Sequence, residues 1–99
     1  MIAYISGKII SKTENTVVIQ AGNIGYEINI TCHTSSNLPS NGEEVSLFIA
    51  ETASMYSTQV LYGFESEEEK TLFEMLKSIP KLGPKKALEC LDKLSLIHI

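Results

Sequence analysis

The chain predicts a mainly β fold with an α appendage: a small five-stranded barrel followed by a pair of helices. Three observations carry this. Up to Phe64 apolar residues alternate with polar ones in short runs. Gly, Asn, Ser and Pro clusters divide the runs. At Ser66 the apolar spacing changes from two to between three and four residues.

The first strand is expected over Ile2 to Ile10, interrupted by Gly7, which inside a strand marks a bulge or sharp bend of the kind a closed barrel needs. A second covers Thr16 to Gln20, and Gly22-Asn23 after it is hairpin chemistry, since both residues tolerate positive φ. The third, Tyr26 to Thr31, alternates strictly, with Tyr26, Ile28 and Ile30 on one face and Glu27, Asn29 and Thr31 on the other. A polar segment around Ser35 to Pro39 and the turn Ser40-Asn41-Gly42 lead to a fourth strand, in which Val45, Leu47 and Ile49 alternate with Ser46, Phe48 and Ala50. The fifth is Gln59 to Phe64. Five short strands in this order suggest a barrel of OB type.

Beyond it, Ser66-Glu67-Glu68-Glu69 is a capping box: the Ser66 hydroxyl accepts from the Glu69 N–H, and the Glu69 carboxylate reaches back to the Ser66 N–H. The three Glu also suit the positive end of the helix dipole. Leu72, Leu76 and Ile79 repeat at helical spacing with Phe73 beside them, and Pro80 stops the helix. A second helix is expected from Pro84, burying Ala87, Leu88 and Leu91. The organisation expected is a barrel over 1–64, a helix-hairpin-helix over 65–94 and a tail over 95–99.

The 99 residues include 8 Lys, no Arg and 12 Asp plus Glu, a net charge of −4, with 43% hydrophobic and 20% charged residues. This composition is that of a globular domain and excludes collagen-like, disordered and coiled-coil classes. The longest uncharged stretch, Ile28 to Gly42, is too polar for a membrane span, and Met1-Ile2-Ala3-Tyr4 lacks a basic signal-peptide region, so a cytoplasmic protein is expected. Cys32 and Cys90 form no C-x-x-C pair, and His33 and His98 are the only histidines, too few ligands for a structural zinc site. Reduced, partly buried thiols and no cofactor are expected. No G-x-x-x-x-G-K-[ST] sequence is present for ATP hydrolysis, and Cys32 and His33, adjacent in sequence, cannot meet as a catalytic pair.

The charge is uneven. Glu65 to Leu76 holds five Glu against one Lys, whereas Lys77 to Lys93 holds five Lys against Glu89 and Asp92. A phosphate backbone answers to such a local field and not to the sum. Between the helices runs Pro80-Lys81-Leu82-Gly83-Pro84-Lys85-Lys86. Gly83 lets the backbone approach a phosphate without a Cβ in the way, and N–H groups at the following helix start point outward. Lys85 and Lys86 add point charges, and Leu82 packs inside to hold the turn. Contacts of this kind read backbone and not base sequence. An ordinary helical hairpin with a glycine cap and solvated lysines would show the same residues, and on these residues alone both readings stand. A stacking platform for single strands lacks residues, because several aromatics have core duties by strand alternation; Tyr56 is the one expected to be exposed.

Met1-Ile2-Ala3-Tyr4-Ile5-Ser6-Gly7, Ile24-Gly25-Tyr26-Glu27-Ile28, Leu61-Tyr62-Gly63-Phe64, Glu67 to Phe73 and Leu82-Gly83-Pro84-Lys85-Lys86-Ala87-Leu88 occur in the order and at the spacings of the RuvA family, which the chain resembles from Met1 to about Leu94. The resemblance implies an OB barrel and the first of two helix-hairpin-helix motifs, with Lys81, Leu82, Gly83, Pro84, Lys85 and Lys86 at DNA. It further implies a non-catalytic homotetramer that recognises four-way (Holliday) junctions in recombination and repair and works with the hexameric ATPase RuvB, through a domain that in the family pattern lies beyond Ile99. The sequence departs from the pattern in three places. It stops after one hairpin motif, with Leu94 to Ile99 unlike the family. It has Lys81 where the hairpin usually begins with Gly. It places Tyr56 and Ser57 where the family carries an acidic pair in the turn between the last two strands, which implies weaker discrimination against continuous duplex. The alternative from another class is an oligomeric protein-interaction module with no DNA role.

Overall fold

The computed structural model describes residues 1–53 and 59–97. Five strands, β1 (Tyr4–Lys12), β2 (Thr16–Ala21), β3 (Ile24–Asn29), β4 (Glu44–Ala53) and β5 (Gln59–Phe64), close into a barrel in the order β1-β2-β3-β5-β4. A short helix, α1 (Cys32–Asn37), lies between β3 and β4; α2 (Glu67–Lys77) and α3 (Gly83–Ile97) follow the barrel. All neighbouring strands are antiparallel except β3 and β5, which run parallel and meet at Ile28–Leu61 and Asn29–Tyr62. At that short seam the Asn29 side-chain amide donates to the Leu61 carbonyl at 3.2 Å. This is the five-stranded OB-like barrel expected from the strand order.

β1 belongs to two pairs at once. Tyr4 to Lys8 lies against β4, and Lys8 to Lys12 against β2. The register shift that bends it falls between Ile9 and Ser11, not at Gly7. The role of Gly7 is a different one, because a Cβ there would fall well inside contact distance of the Gln20 carbonyl, and only glycine lets β2 close on β1. Ile9 keeps the inward phase of Ile5, and Ile10, at the shift, is half exposed. In the β2–β3 turn only Gly22 has positive φ (+66°); Asn23 does not, the sign pattern of a type II′ hairpin.

Ile5, Ile9, Val17, Ile19, Ile28, Ile30, Leu47 and Ile49 fill the interior at 5% exposure or less. Burying each contributes roughly 1.5–3 kcal/mol relative to leaving it in water. Two expectations fail at the end of β3. Thr31 does not face solvent but is buried, its hydroxyl accepting from the Thr34 N–H at 3.0 Å as the N-cap of α1. The polar segment after it is helical for the same reason, although no apolar periodicity announces it; Ser35 further ties α1 to the Thr13 carbonyl at 2.6 Å.

A second core lies outside the barrel. Ala50, Tyr62 and Phe64 on β4 and β5 are covered by Phe73 of α2 and by Ala87 and Leu91 of α3. Phe73 stacks at 5.0 Å from Phe64 and 5.1 Å from Tyr62. Leu72 and Leu76 flank it half-buried, but Ile79, expected to share their face, is 49% exposed because α2 ends at Lys77. α3 begins within one residue of the expected Pro84; Ala87 and Leu91 are buried and Leu88 only half so. Tyr4, at 54% exposure, is accessible, against the expectation that leaves only Tyr56 exposed; it packs edge-on against Phe48.

Gly7→Ala is expected to destabilise the protein by about 2 kcal/mol or more, because the added methyl meets backbone that cannot move aside. Urea denaturation should show a lowered midpoint with an unchanged slope.

Candidate nucleic-acid interface

The connection between α2 and α3 is built from two left-handed residues. Ser78 caps α2 by donating its N–H to the Glu74 and Met75 carbonyls at 3.2 Å. The Leu82 N–H then donates to the Ile79 carbonyl at 3.1 Å, closing a four-residue turn with Pro80 and Lys81 at its centre. Pro80 ahead of a central residue at positive φ is the pattern of a type II turn. Lys81 occupies that position at φ +70°, a conformation that costs a non-glycine residue roughly 1–2 kcal/mol. Gly83 follows at φ +72°, so regular helix starts at Pro84, whose missing N–H is no loss in a first turn. Leu82, between the two, is half-buried against the Phe73 cluster and anchors the loop.

Lys81, Lys85 and Lys86 all project into solvent. Among the described residues the ion pair found is Lys77–Glu74 at 3.2 Å, with the Lys77 ammonium 5.9 Å from the Phe73 ring, so Lys77 is engaged and the three hairpin lysines are not ion-paired. The two helix starts contrast. α2 opens with Glu67, Glu68 and Glu69, whereas the first turn of α3 has no acidic residue and carries two lysines. The first N–H groups of a helix lack intrahelical partners and the dipole makes that end positive. Cations there are unfavourable for the isolated helix and concentrate positive potential at one point of the surface, the arrangement an anion would relieve.

A family model described as the RuvA N terminal domain matches residues 1–63. The chain belongs to the RuvA family. A relative in Elusimicrobium minutum, named Holliday junction branch migration complex subunit RuvA, is 46% identical over 94 residues, covering 94% of this chain and 46% of its own. Relatives of the same name in Syntrophus aciditrophicus (42% identical; 99% of this chain, 49% of theirs) and Ruminiclostridium cellulolyticum (37%; 96% and 47%) are similar. The chain spans about half the length of the curated relatives it matches. Against the RuvA pattern, Lys81 keeps the left-handed geometry of the expected glycine. Tyr56 and Ser57, at the position of the RuvA acidic pair, lie outside the described residues.

The thiols and the described histidine of this RuvA chain have structural surroundings. Cys90 is half-buried as expected, but Cys32, expected to be partly buried, is exposed at the first position of α1; both are free thiols. Desolvation, with the neighbouring Asp92 carboxylate, pushes the Cys32 thiol above its ordinary range, which disfavours the thiolate. The His33 ring turns to Asn37, Nε2 lying 3.2 Å from its side-chain nitrogen. Among the described residues no three His, Cys, Asp or Glu side chains gather as a metal site, and no helix is long and apolar enough to cross a membrane. Asp92, which no sequence motif singles out, accepts through Oδ1 from the His33 N–H at 3.2 Å. Its one signal in the sequence is its position seven residues, two helical turns, after Lys85 on the same face.

The capping box differs from expectation in its return leg. Glu69 N–H donates to the Ser66 hydroxyl at 3.2 Å, but the Glu69 carboxylate meets that hydroxyl at 3.4 Å, and its second oxygen is buried with no partner among the described residues. Burial, with a smaller contribution from Glu65, raises the Glu69 carboxyl above its usual range.

Lys81→Gly should stabilise the protein by about 1 kcal/mol, the relieved strain less the added chain entropy, read as a raised urea midpoint. At Glu69 the sign is set by linkage, since a carboxyl raised by folding favours the folded state when protonated and disfavours it when ionised. Glu69→Gln should therefore be more stable than the parent at pH 7, and the advantage should vanish as pH falls below the ordinary value of 4.5, measured by thermal melts across pH.

Proposed function

We propose that the chain is the non-catalytic DNA-binding part of a RuvA subunit, recognising four-way junctions in recombination and repair in the cytoplasm. It would act as a homotetramer with a RuvB-type hexameric ATPase that supplies the motor for branch migration. The observation that carries this is the start of α3, a helix N-terminus entered through the left-handed Lys81 and Gly83, with no acidic residue in its first turn. Its first N–H groups lack intrahelical partners, and Lys85 and Lys86, not ion-paired among the described residues, stand beside them. Each group bonds a phosphate oxygen and none reads a base, as a protein selecting junction shape needs. The names of the relatives and the match of the barrel to the RuvA N terminal domain support the same reading. A four-fold junction calls for four copies of the hairpin, so the solution mass with junction bound tests the assembly. Exposed Met75 and Ile79 beside the loop favour a second reading, docking of an apolar protein partner. Salt separates the two, because phosphate contacts weaken steeply with ionic strength and an apolar interface does not.

Lys85→Ala with Lys86→Ala should weaken binding to a four-way junction and reduce the slope of log K against log salt by roughly 0.9 for each phosphate that the lysines neutralise. Unchanged affinity and slope in a salt titration would remove the hairpin from the interface.

A further inference from the structure

We propose that Asp92 is a positioning residue: its carboxylate, bound to the first turn of α1, sets the rotation of α3 and thereby the aim of Lys85 and Lys86. This rests on the DNA reading above and extends it to a residue that need not touch DNA.

The apolar seat of α3 is Ala87 and Leu91 against Phe73 and the outer face of the barrel. Such contacts fix the depth of a helix but are non-directional and tolerate rolling. On its other side α3 does not pack solidly. A groove of about 420 Å³ separates it from the barrel, with Lys85, Leu88, Glu89 and Asp92 on the helix wall facing Asn29 and Thr31. Across this groove a directional bond joins α3 to the start of α1, from the His33 N–H to Asp92 Oδ1 at 3.2 Å, linking positions 59 residues apart.

The bond is well founded at both ends. Thr31 caps α1 and satisfies the Thr34 N–H, which leaves the His33 N–H in the first turn with no carbonyl of its own helix to bond. A carboxylate is the acceptor that forms the stronger, charge-assisted bond. Asp92 and Lys85 stand two turns apart on one face, so whatever holds Asp92 holds Lys85 at the same angle. Rolling α3 by about 20° would move a side chain at the helix surface by about 2 Å, enough to miss a phosphate oxygen.

Three substitutions in the full chain separate position from charge. Asp92→Asn keeps an acceptor oxygen in place without charge, Asp92→Glu keeps the charge but displaces the acceptor, and Asp92→Ala removes both. Affinity for a synthetic four-way junction is measured by titration, and the His33 amide is followed by NMR, which also verifies folding. The expected result is roughly tenfold weaker binding for Ala and Glu, the size of one charge-assisted hydrogen bond, with Asn within about twofold of the parent. The His33 amide should shift in Ala and Glu and stay near its parent position in Asn. If Asp92 were only a negative charge near DNA, Ala and Asn would bind more tightly and Glu like the parent; that pattern overturns the proposal. Equal affinities in all four proteins overturn it too, as does an unmoved His33 amide in Ala and Glu. Should Lys85→Ala with Lys86→Ala leave binding intact, the DNA reading fails by itself. Residual dipolar couplings of α3 in Asp92→Glu then decide the matter, a changed orientation supporting the positioning role and an unchanged one overturning it.

Discussion

The packing of Phe73 on Tyr62 and Phe64 is the contact on which the arrangement of the chain depends. A closed barrel has an inside that alternation fills and an outside that faces water. Here one sector of the outside, along β4 and β5, is converted into a second interior by one fully buried ring from α2. α2 is thereby seated on the barrel, α3 covers the remaining edge through Ala87 and Leu91, and the loop between them has one place to go. Without that ring α2 would lose its seat, and α3 would be left to the smaller contacts of Ala87 and Leu91 and to the Asp92–His33 bond.

Strain and charge are distributed around this frame in a consistent way. The favourable features sit where the helices must be held: the Ser66 cap, the acidic first turn of α2, the Thr31 cap of α1. The unfavourable ones, a lysine at positive φ and two cations on a helix start, gather within six residues of one another. Local departures from the rules that otherwise govern a chain concentrate at functional sites. In this RuvA chain the hairpin is the segment that stability alone explains least.

How much of this is legible in the sequence depends on which forces act locally. The strands are legible because a half-buried sheet imposes a period of two, and the expected bounds of the last one, Gln59–Phe64, are those observed. The shape of the hairpin is legible because Pro, Gly and Lys each have a local conformational or electrostatic meaning. α1 is not, because Cys32 to Asn37 has no apolar stripe and is held instead by a cap and by bonds to Thr13 and Asp92, partners 22 and 59 positions away. The bulge is displaced from its expected residue for a related reason. Gly7 signals special backbone, but the demand comes from the approach of Gln20, and the bend occurs beyond Ile9, before Ser11. At Ile79 the apolar periodicity continues past the point where α2 stops, so spacing alone assigns to the core a residue that stands half in water.

The opposite charge of the two helix starts has a consequence for motion before contact. A body of net charge −4 approaching a polyanion is repelled as a whole, yet its basic tip is drawn in, so the field exerts a torque as well as a force. In such an encounter Glu67 to Glu69 would swing away and Lys81 to Lys86 forward while the partners are still separated by water. Encounters in other orientations are turned back by the same field, with no contact having to form and break. On the DNA reading proposed above, a small chain would select its angle of approach through the contrast between the acidic start of α2 and the basic start of α3, and the selection would fade as added salt shortens the range over which the torque acts.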